Sequence, residues 1–350
     1  MSIKDQYRVQ LAGPRPQPTM MDVAAQAGVS QATVSLVLNG NPGARFSADT
    51  RSRVKRAAED LGYQLVRRGK RVAPLDQTVI GFIADEVTTD PWMALAFDGA
   101  REKALEYGMS ACMAITPGDP EADTFVVDQM RQKPLLGMVF GTILTRRIKP
   151  TAAMLEQPTV LLNCYDAERR LPSVLPGDVV GGRVATEQLI LAGRRRIGMI
   201  NGQPGLDASR DRLRGYRQAL ASHDIPFDPE LVRPGNWEPS AGYEMTRELM
   251  SLSGPPDAIF CANDMMAMGC YDALRELGLR IPEDVAVVGF DDREIAQFMR
   301  PPLTTLLLPF REMGAIAAEM LIEKARGSAA RPTQIKVECQ VVPRQSVAFG

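Results

Sequence analysis

The sequence predicts an all-α helix-turn-helix headpiece followed by an α/β core of two similar parallel-sheet lobes. Three observations predict it. Residues 19–40 read as two short helical stretches broken at Gly28-Val29-Ser30. A one-sided basic run follows them. From Thr78 onward, apolar runs of strand length alternate with amphipathic stretches of helix length, in two successive series.

The headpiece is argued residue by residue. Thr19 is an N-cap type, and Asp22 three residues on completes a capping-box pattern. Val23 and Ala27 lie one turn apart, and Gly28 can take the positive φ that ends the first helix. Ser30 caps the second helix, whose buried stripe is Val34, Val37 and Leu38. A third helix starts near Ser47 and buries Val54, Ala57, Ala58 and Leu61, an i, i+3, i+4, i+7 set. The second helix opens with short or polar outward residues, Gln31, Ala32, Thr33 and Ser35. A recognition helix places such N-terminal side chains on base edges in the major groove. Gln31 can donate and accept, which suits adenine, whereas Ala32 and Leu36 offer apolar contact, as to a thymine methyl.

A plain helical hairpin fits the same loose pattern, so charge has to separate the readings. Residues 45–72 hold nine basic side chains (Arg45, Arg51, Arg53, Lys55, Arg56, Arg67, Arg68, Lys70, Arg71) against Asp49, Glu59 and Asp60. That net +6 sits in a chain of net −1, leaving −7 on the rest. A basic head on an acidic body is the footprint of a phosphate-binding module.

Composition excludes most chemistry. His223 is the only histidine, which removes nearly all hydrolytic triads and His-based metal sites. Gly69-Lys70 follows a basic stretch and not a strand, so there is no phosphate loop. No enzyme activity and no cofactor or metal is expected. The five cysteines (Cys112, Cys164, Cys261, Cys270, Cys339) have no metal spacing and read as buried, reduced thiols of a cytoplasmic protein. No apolar run reaches the roughly 18 residues of a membrane span, and no apolar signal region opens the chain. The expected organisation is a tail at 1–18, the headpiece at 19–63, a hinge at 64–77 and a core at 78–350. Within the core, lobe 1 spans about 78–174 plus 304–335, and lobe 2 about 175–303 plus 336–350.

The core strands are expected at 79–84, 110–115, 136–141 and 159–163, then at 196–200, 257–262 and 285–290. Ligands in such folds bind at the carboxyl ends of strands, here facing one another across a cleft. Asp85 follows the first strand and Asn163 ends the fourth. Asn263-Asp264 and Asp291-Asp292 end strands of the second series, and Arg212 begins a helix after the 201–204 loop. Trp92 and Trp237 fall in loops after strands, where an indole can stack on a sugar ring or a base. These acidic and amide residues could equally cap the next helices. Capping is favoured for Asp264, and ligand contact for Asp291 and Arg212.

Together these residues resemble the LacI/GalR family of bacterial transcription regulators. The headpiece resemblance rests on Asp22-Val23-Ala24, Gly28-Val29-Ser30, Thr33-Val34-Ser35, Leu38-Asn39, Thr50-Arg51 and Leu61-Gly62-Tyr63. In the core it rests on Ile80-Gly81, Asp90-Pro91-Trp92, Ala262-Asn263-Asp264, Ala267-Met268-Gly269, Val288 to Asp292, Pro302 to Thr305 and Arg344-Gln345-Ser346. The resemblance implies a homodimer on double-stranded, pseudo-palindromic operator DNA, with a periplasmic-binding-protein-like core holding a small effector. By position in the family pattern, Gln31, Ala32 and Leu36 read bases, while Thr19, Ser30, Thr33, Ser35 and Asn39 contact the DNA backbone. Trp92, Asn163, Arg212, Trp237 and Asp291 match effector contacts.

Three departures are visible. Leu206 and Ala208 stand where several relatives carry polar ligand contacts, and Pro176-Gly177 stands where a strand-end Asp is common. The hinge reads Tyr63-Gln64-Leu65-Val66-Arg67-Arg68-Gly69-Lys70-Arg71-Val72. Gly69 costs a short helix about 1 kcal/mol against Ala, and Val72 is a smaller minor-groove wedge than the usual leucine. Arg67, Arg68 and Lys70 could compensate through phosphates. The expected function is an effector-gated repressor sensing a sugar, sugar acid or polyol. A nucleobase or nucleoside corepressor is the alternative, and a transport-type sugar-binding protein a further rival. With no leucine-heptad tail after Arg344, a dimer is expected over a tetramer.

Overall fold

Three short helices, α1 (Met20–Ala27), α2 (Gln31–Leu38) and α3 (Ala48–Asp60), make the headpiece. Gly28 takes φ +64°, and the Val29 N–H reaches back to the Ala24 carbonyl at 3.1 Å, so α1 closes through a left-handed turn. Ser30 Oγ accepts from the Thr33 N–H at 3.1 Å and caps α2, and Ser47 caps α3 through Thr50 in the same way. Val23, Ala24, Ala27, Val34, Val37, Val54, Ala57 and Ala58 are buried together, with Leu38 and Leu61 half-buried against them. Arg53 donates to the Ala27 carbonyl at 3.1 Å, so one member of the basic run holds the last turn of α1.

The computed structural model describes residues 20–38, 47–61, 78–88, 90–327 and 333–348. Thr19, Asn39 and the hinge residues Arg67, Arg68, Lys70 and Val72 lie outside the described residues. The headpiece and the core are separate compact units.

In chain order the core begins β1 (Val79–Ala84), α4 (Trp92–Glu106), β2 (Ser110–Ile115), α5 (Pro120–Arg131), β3 (Leu135–Ile148), α6 (Ala152–Glu156), β4 (Thr159–Asp166) and β5 (Ser173–Pro176). It continues α7 (Asp178–Leu191), β6 (Ile197–Ile200), α8 (Asp207–Ser222), β7 (Val232–Arg233), α9 (Pro239–Met250), β8 (Ala258–Cys261), α10 (Asp264–Glu276) and β9 (Ala286–Val288). The last elements are β10 (Thr305–Leu306), α11 (Phe310–Ala325), β11 (Gln334–Val337) and β12 (Val341–Val342). One parallel sheet has the order β11-β5-β4-β3-β1-β2, the other β7-β6-β8-β9. The central strands β1, β3, β4, β6 and β8 are apolar and largely buried because helices cover both sheet faces, as parallel sheets require. The chain passes between the sheets after β5, through β10 and through β12, and the last two pair antiparallel. The first sheet therefore takes in Ser173–Pro176 and Gln334–Val337.

Two features depart from the expected strands. β3 runs on to Ile148 and β4 to Asp166, with a register shift between Gly141 and Arg146. Buried side chains supply the hydrogen bonds that this irregularity would otherwise leave open. Asp85 accepts from the Ile143 N–H at 2.7 Å and from Arg146 at 3.0 Å. Asn163 donates to the Thr142 and Ile143 carbonyls at 2.9 and 3.0 Å and accepts from the Thr145 hydroxyl at 2.6 Å. Asn163 is thus inside β4, with φ 55°, and does not end it. Second, Trp92 is the first residue of α4 and not part of a loop.

The α7–α8 crossing sets up the site. A Cβ on Gly182 would fall 2.3 Å from the Arg212 carbonyl oxygen, and one on Gly215 would fall 2.1 Å from that of Val179. Glycine in each helix lets the two backbones touch, which brings Asp178 at the start of α7 against Arg212 in the second turn of α8.

Candidate functional site

Five strand-end polar residues have structural partners of their own. Asp85 and Asn163 hold the β3 irregularity. Asn263, not Asp264, caps α10, accepting from the Met266 N–H at 2.9 Å, and its amide donates to the Trp237 carbonyl at 3.0 Å. The capping role expected of Asp264 is corrected accordingly. Asp264 is fully buried and accepts from the Arg293 N–H at 2.7 Å and the Thr305 hydroxyl at 2.6 Å, so it staples the 291–293 loop to the β10 crossing. Burial raises its carboxyl to about 7, against the lowering effect of those two donors. Asp292 pairs with Arg344 at 2.6 Å.

Asp291 differs. It follows β9 at φ 114°, a conformation that costs a non-glycine residue energy and recurs at ligand sites. Its N–H is held by the Leu306 carbonyl at 2.7 Å and its own carbonyl accepts from Leu308 at 3.2 Å, which ties it to the crossing segment. The side chain is 7 % exposed and accepts no hydrogen bond among the described residues, although Arg212 and Arg293 stand 3.8 and 3.9 Å away. Burial lifts its pKa well above the ordinary carboxylate range, with Arg212 opposing.

Arg212 is itself buried. Its Nε donates to Asp178 Oδ1 at 2.9 Å and its Nη1 to the Ala262 carbonyl. The guanidinium lies 3.7 Å from the centre of the Phe290 ring and 5.6 Å from that of Trp237. Trp237, in the loop before α9 at φ 73°, packs where a Cβ on Gly202 would fall 1.9 Å from the indole. Its ring Nε1 is buried with no hydrogen-bond partner among the described residues. Trp92 stacks on Phe310 at 5.7 Å and faces the Arg293 guanidinium at 5.5 Å. Arg293 pairs with Asp90 from the other lobe, and Tyr165 reaches Asp207 at 2.8 Å, so two contacts bridge the lobes.

Of the expected effector residues, Arg212, Trp237 and Asp291 are therefore assembled in one constellation. Trp92 joins them through Arg293, and Asn163 is occupied by its own chain. Leu206 and Ala208 are half-buried at the start of α8. Asp178, Asp90 and Arg293 were not singled out from the sequence. The signal available was position alone, Asp178 and Arg293 each lying just past a strand and Asp90 just before α4. In the headpiece, Gln31 is exposed at the start of α2, and Thr33, Ser35 and Leu36 are half-buried. The Ser30 and Thr33 hydroxyls are 2.9 Å apart and share a hydrogen bond.

Among the described residues no group of three His, Cys, Asp or Glu side chains could hold a metal ion, and no helix is long and apolar enough to cross a membrane. The cysteines are free thiols, all buried but the half-buried Cys112.

Comparison with known proteins agrees with this architecture. Residues 19–64 match the family model of bacterial regulatory proteins, lacI family, and residues 186–347 match that of a periplasmic binding protein-like domain. The HTH-type transcriptional repressor CytR of Escherichia coli K12 is 32 % identical over 332 residues, covering 94 % of this chain and 96 % of that protein. The ribose operon repressor of the same strain is 32 % identical, covering 93 % and 97 %. The lac repressor dimer bound to operator and the anti-inducer ONPF superposes with TM-score 0.66 at 27 % identity, covering 94 % and 99 %. The relatives are repressors, not enzymes. The chain belongs to the LacI family and is a transcriptional repressor with a DNA-binding headpiece and an effector-binding core.

Proposed function

We propose that this repressor is a homodimer gated by a neutral sugar or polyol that hydrogen-bonds Asp291 between the two lobes. The observation that carries the reading is the Asp291 carboxylate, 7 % exposed and without a hydrogen bond among the described residues, held on the segment where the chain crosses between lobes. An acceptor so largely withdrawn from water gains from a donor that reaches it. A sugar acid suits the site less, because Arg212 is already paired with Asp178 and Arg293 with Asp90. A ligand carboxylate would meet Asp291 between two guanidiniums whose charges are already paired. Arg212, Trp237 and Trp92 complete the effector site, and Asn163, an effector contact by family position, also holds the β3 irregularity. A nucleoside is the second reading, favoured by indoles on both lobes and the unpartnered Trp237 Nε1.

On DNA, Gln31, Ala32 and Leu36 read bases, while Thr19, Ser30, Thr33, Ser35 and Asn39 contact phosphates. Arg67, Arg68, Lys70 and Val72 form the hinge, which folds on the operator and kinks it weakly. The lac repressor's dimeric complex with operator supports the dimer, and a role on operator DNA accords with a cytoplasmic repressor. The effector shifts the population between two lobe arrangements, which changes the spacing of the two hinges in the dimer. Thermal-shift screening with neutral sugars, polyols, sugar acids and nucleosides tests the effector class. A neutral polyhydroxylated hit that raises the core's unfolding temperature supports it, and stabilisation by sugar acids alone overturns it.

A further inference from the structure

We propose that Arg293 is a specificity-determining residue of the effector site, and that Arg212, Asp291 and Arg293 together select a vicinal diol. The proposal rests on Asp291 being the effector's acceptor. Arg212 Nη1 lies 3.8 Å from Asp291 Oδ1, and Arg293 Nε lies 3.9 Å from Oδ2. Both separations are too long for a direct hydrogen bond. Each is the span that one hydroxyl oxygen bridges at about 2.8 Å from either end, accepting from the guanidinium and donating to the carboxylate. Each carboxylate oxygen thus takes one hydroxyl. Two hydroxyls on adjacent carbons are the ligand pair that matches a carboxylate fork.

The arginines are aimed before any ligand arrives. Arg212 is held by Asp178 and the Ala262 carbonyl and lies against Phe290. Arg293 is held by Asp90 across the cleft, lies over Trp92, and has its backbone N–H on Asp264. These contacts use its Nη2 and its main chain, and leave Nε buried with no hydrogen-bond partner among the described residues. Asp264 fixes the backbone of that same loop at 2.7 Å, and the Asp90 pair and the Trp92 ring hold the guanidinium itself. Preorganisation of this kind lowers the cost of binding and raises the cost of a missing hydroxyl.

Calorimetry on the full chain with three matched pairs tests the proposal. The pairs are methyl β-D-ribofuranoside and its 2-deoxy analogue, methyl β-D-glucopyranoside and its 3-deoxy analogue, and adenosine and 2′-deoxyadenosine. The wild type should bind the diol member of at least one pair about tenfold tighter than its partner. In Arg293→Gln that ratio should fall below about threefold, and in Arg293→Lys as well, because lysine keeps the charge and the Asp90 pairing but lacks the Nε donor. Matched unfolding midpoints of the free variants exclude a folding defect. A preference that survives both substitutions, or equal binding of both members by the wild type, overturns the diol proposal while leaving the Asp291 reading standing. Binding that is indifferent to Asp291→Asn, or absent for all six compounds, overturns the Asp291 reading and the proposal with it.

Discussion

Asp264 and Asp291 show how burial assigns different work to similar carboxyls. Both are buried, yet Asp264 spends its oxygens on Arg293 and Thr305 while Asp291 accepts no hydrogen bond among the described residues. The raised Asp264 carboxyl makes a pH prediction. Its value of about 7 exceeds the ordinary 3.8, so the folded protein keeps a proton that the unfolded chain releases between these limits. Stability should therefore fall as pH rises through that window and level off above it. Urea unfolding at about pH 5 and pH 8 checks this, and Asp264→Asn should make the slope shallower. At Arg212, truncation to Ala leaves Asp178 buried and unpaired, which should lower stability by about 3–5 kcal/mol and abolish effector binding. Equal unfolding midpoints for Arg212→Ala and wild type would contradict the buried pair. None of these partnerships was legible in the sequence. Asp178, Arg212 and Asp291 are far apart along the chain, and only the packing of α7, α8 and the β9 end brings them together.

At the scale of elements, the long apolar periodicities were readable and the short connectors were not. The stripes of Val23 and Ala27, of Val34 and Val37, and of Val54, Ala57 and Ala58 gave the headpiece helices directly. The strands at 79–84 and 110–115 were also plain, being apolar runs between turn residues. Strands such as β7, β10 and β12 hold two residues each, too few for any pattern. The extension of β3 escaped notice because it depends on hydrogen bonds from Asp85 and Asn163, supplied from other strands. Two predictions belong here. Gly215→Ala forces a methyl group against the Val179 carbonyl, so it should cost about 1–3 kcal/mol of stability and weaken effector binding by displacing Arg212. Denaturant unfolding and calorimetry of the variant measure both. Ser30→Ala removes the α2 cap, worth about 1 kcal/mol, and should speed amide hydrogen exchange over 31–38 about fivefold.

For the whole molecule, the division of charge and the crossing segments connect the two activities. The net +6 of residues 45–72 supplies phosphate affinity, so operator binding should weaken steeply with salt. Arg53 is partly committed to Ala27 and Asp49 and should contribute less than its neighbours. If the effector binds at Asp291 as proposed, it sits where the chain passes between the lobes, on the segment tied to Leu306 and Leu308. The two-lobe plan was legible from the repeated strand series, and the family resemblance from motifs spread along the chain. The effector chemistry was not, because it depends on which guanidiniums already hold carboxylates. The most direct measurement of the central claim is operator affinity of the full chain, at constant salt, with and without the tightest-binding sugar, polyol or nucleoside. Operator Kd should shift about tenfold or more for the wild type, with the two values converging in Asp291→Asn. A shift that persists in Asp291→Asn, or an operator Kd that no bound ligand moves, would contradict it.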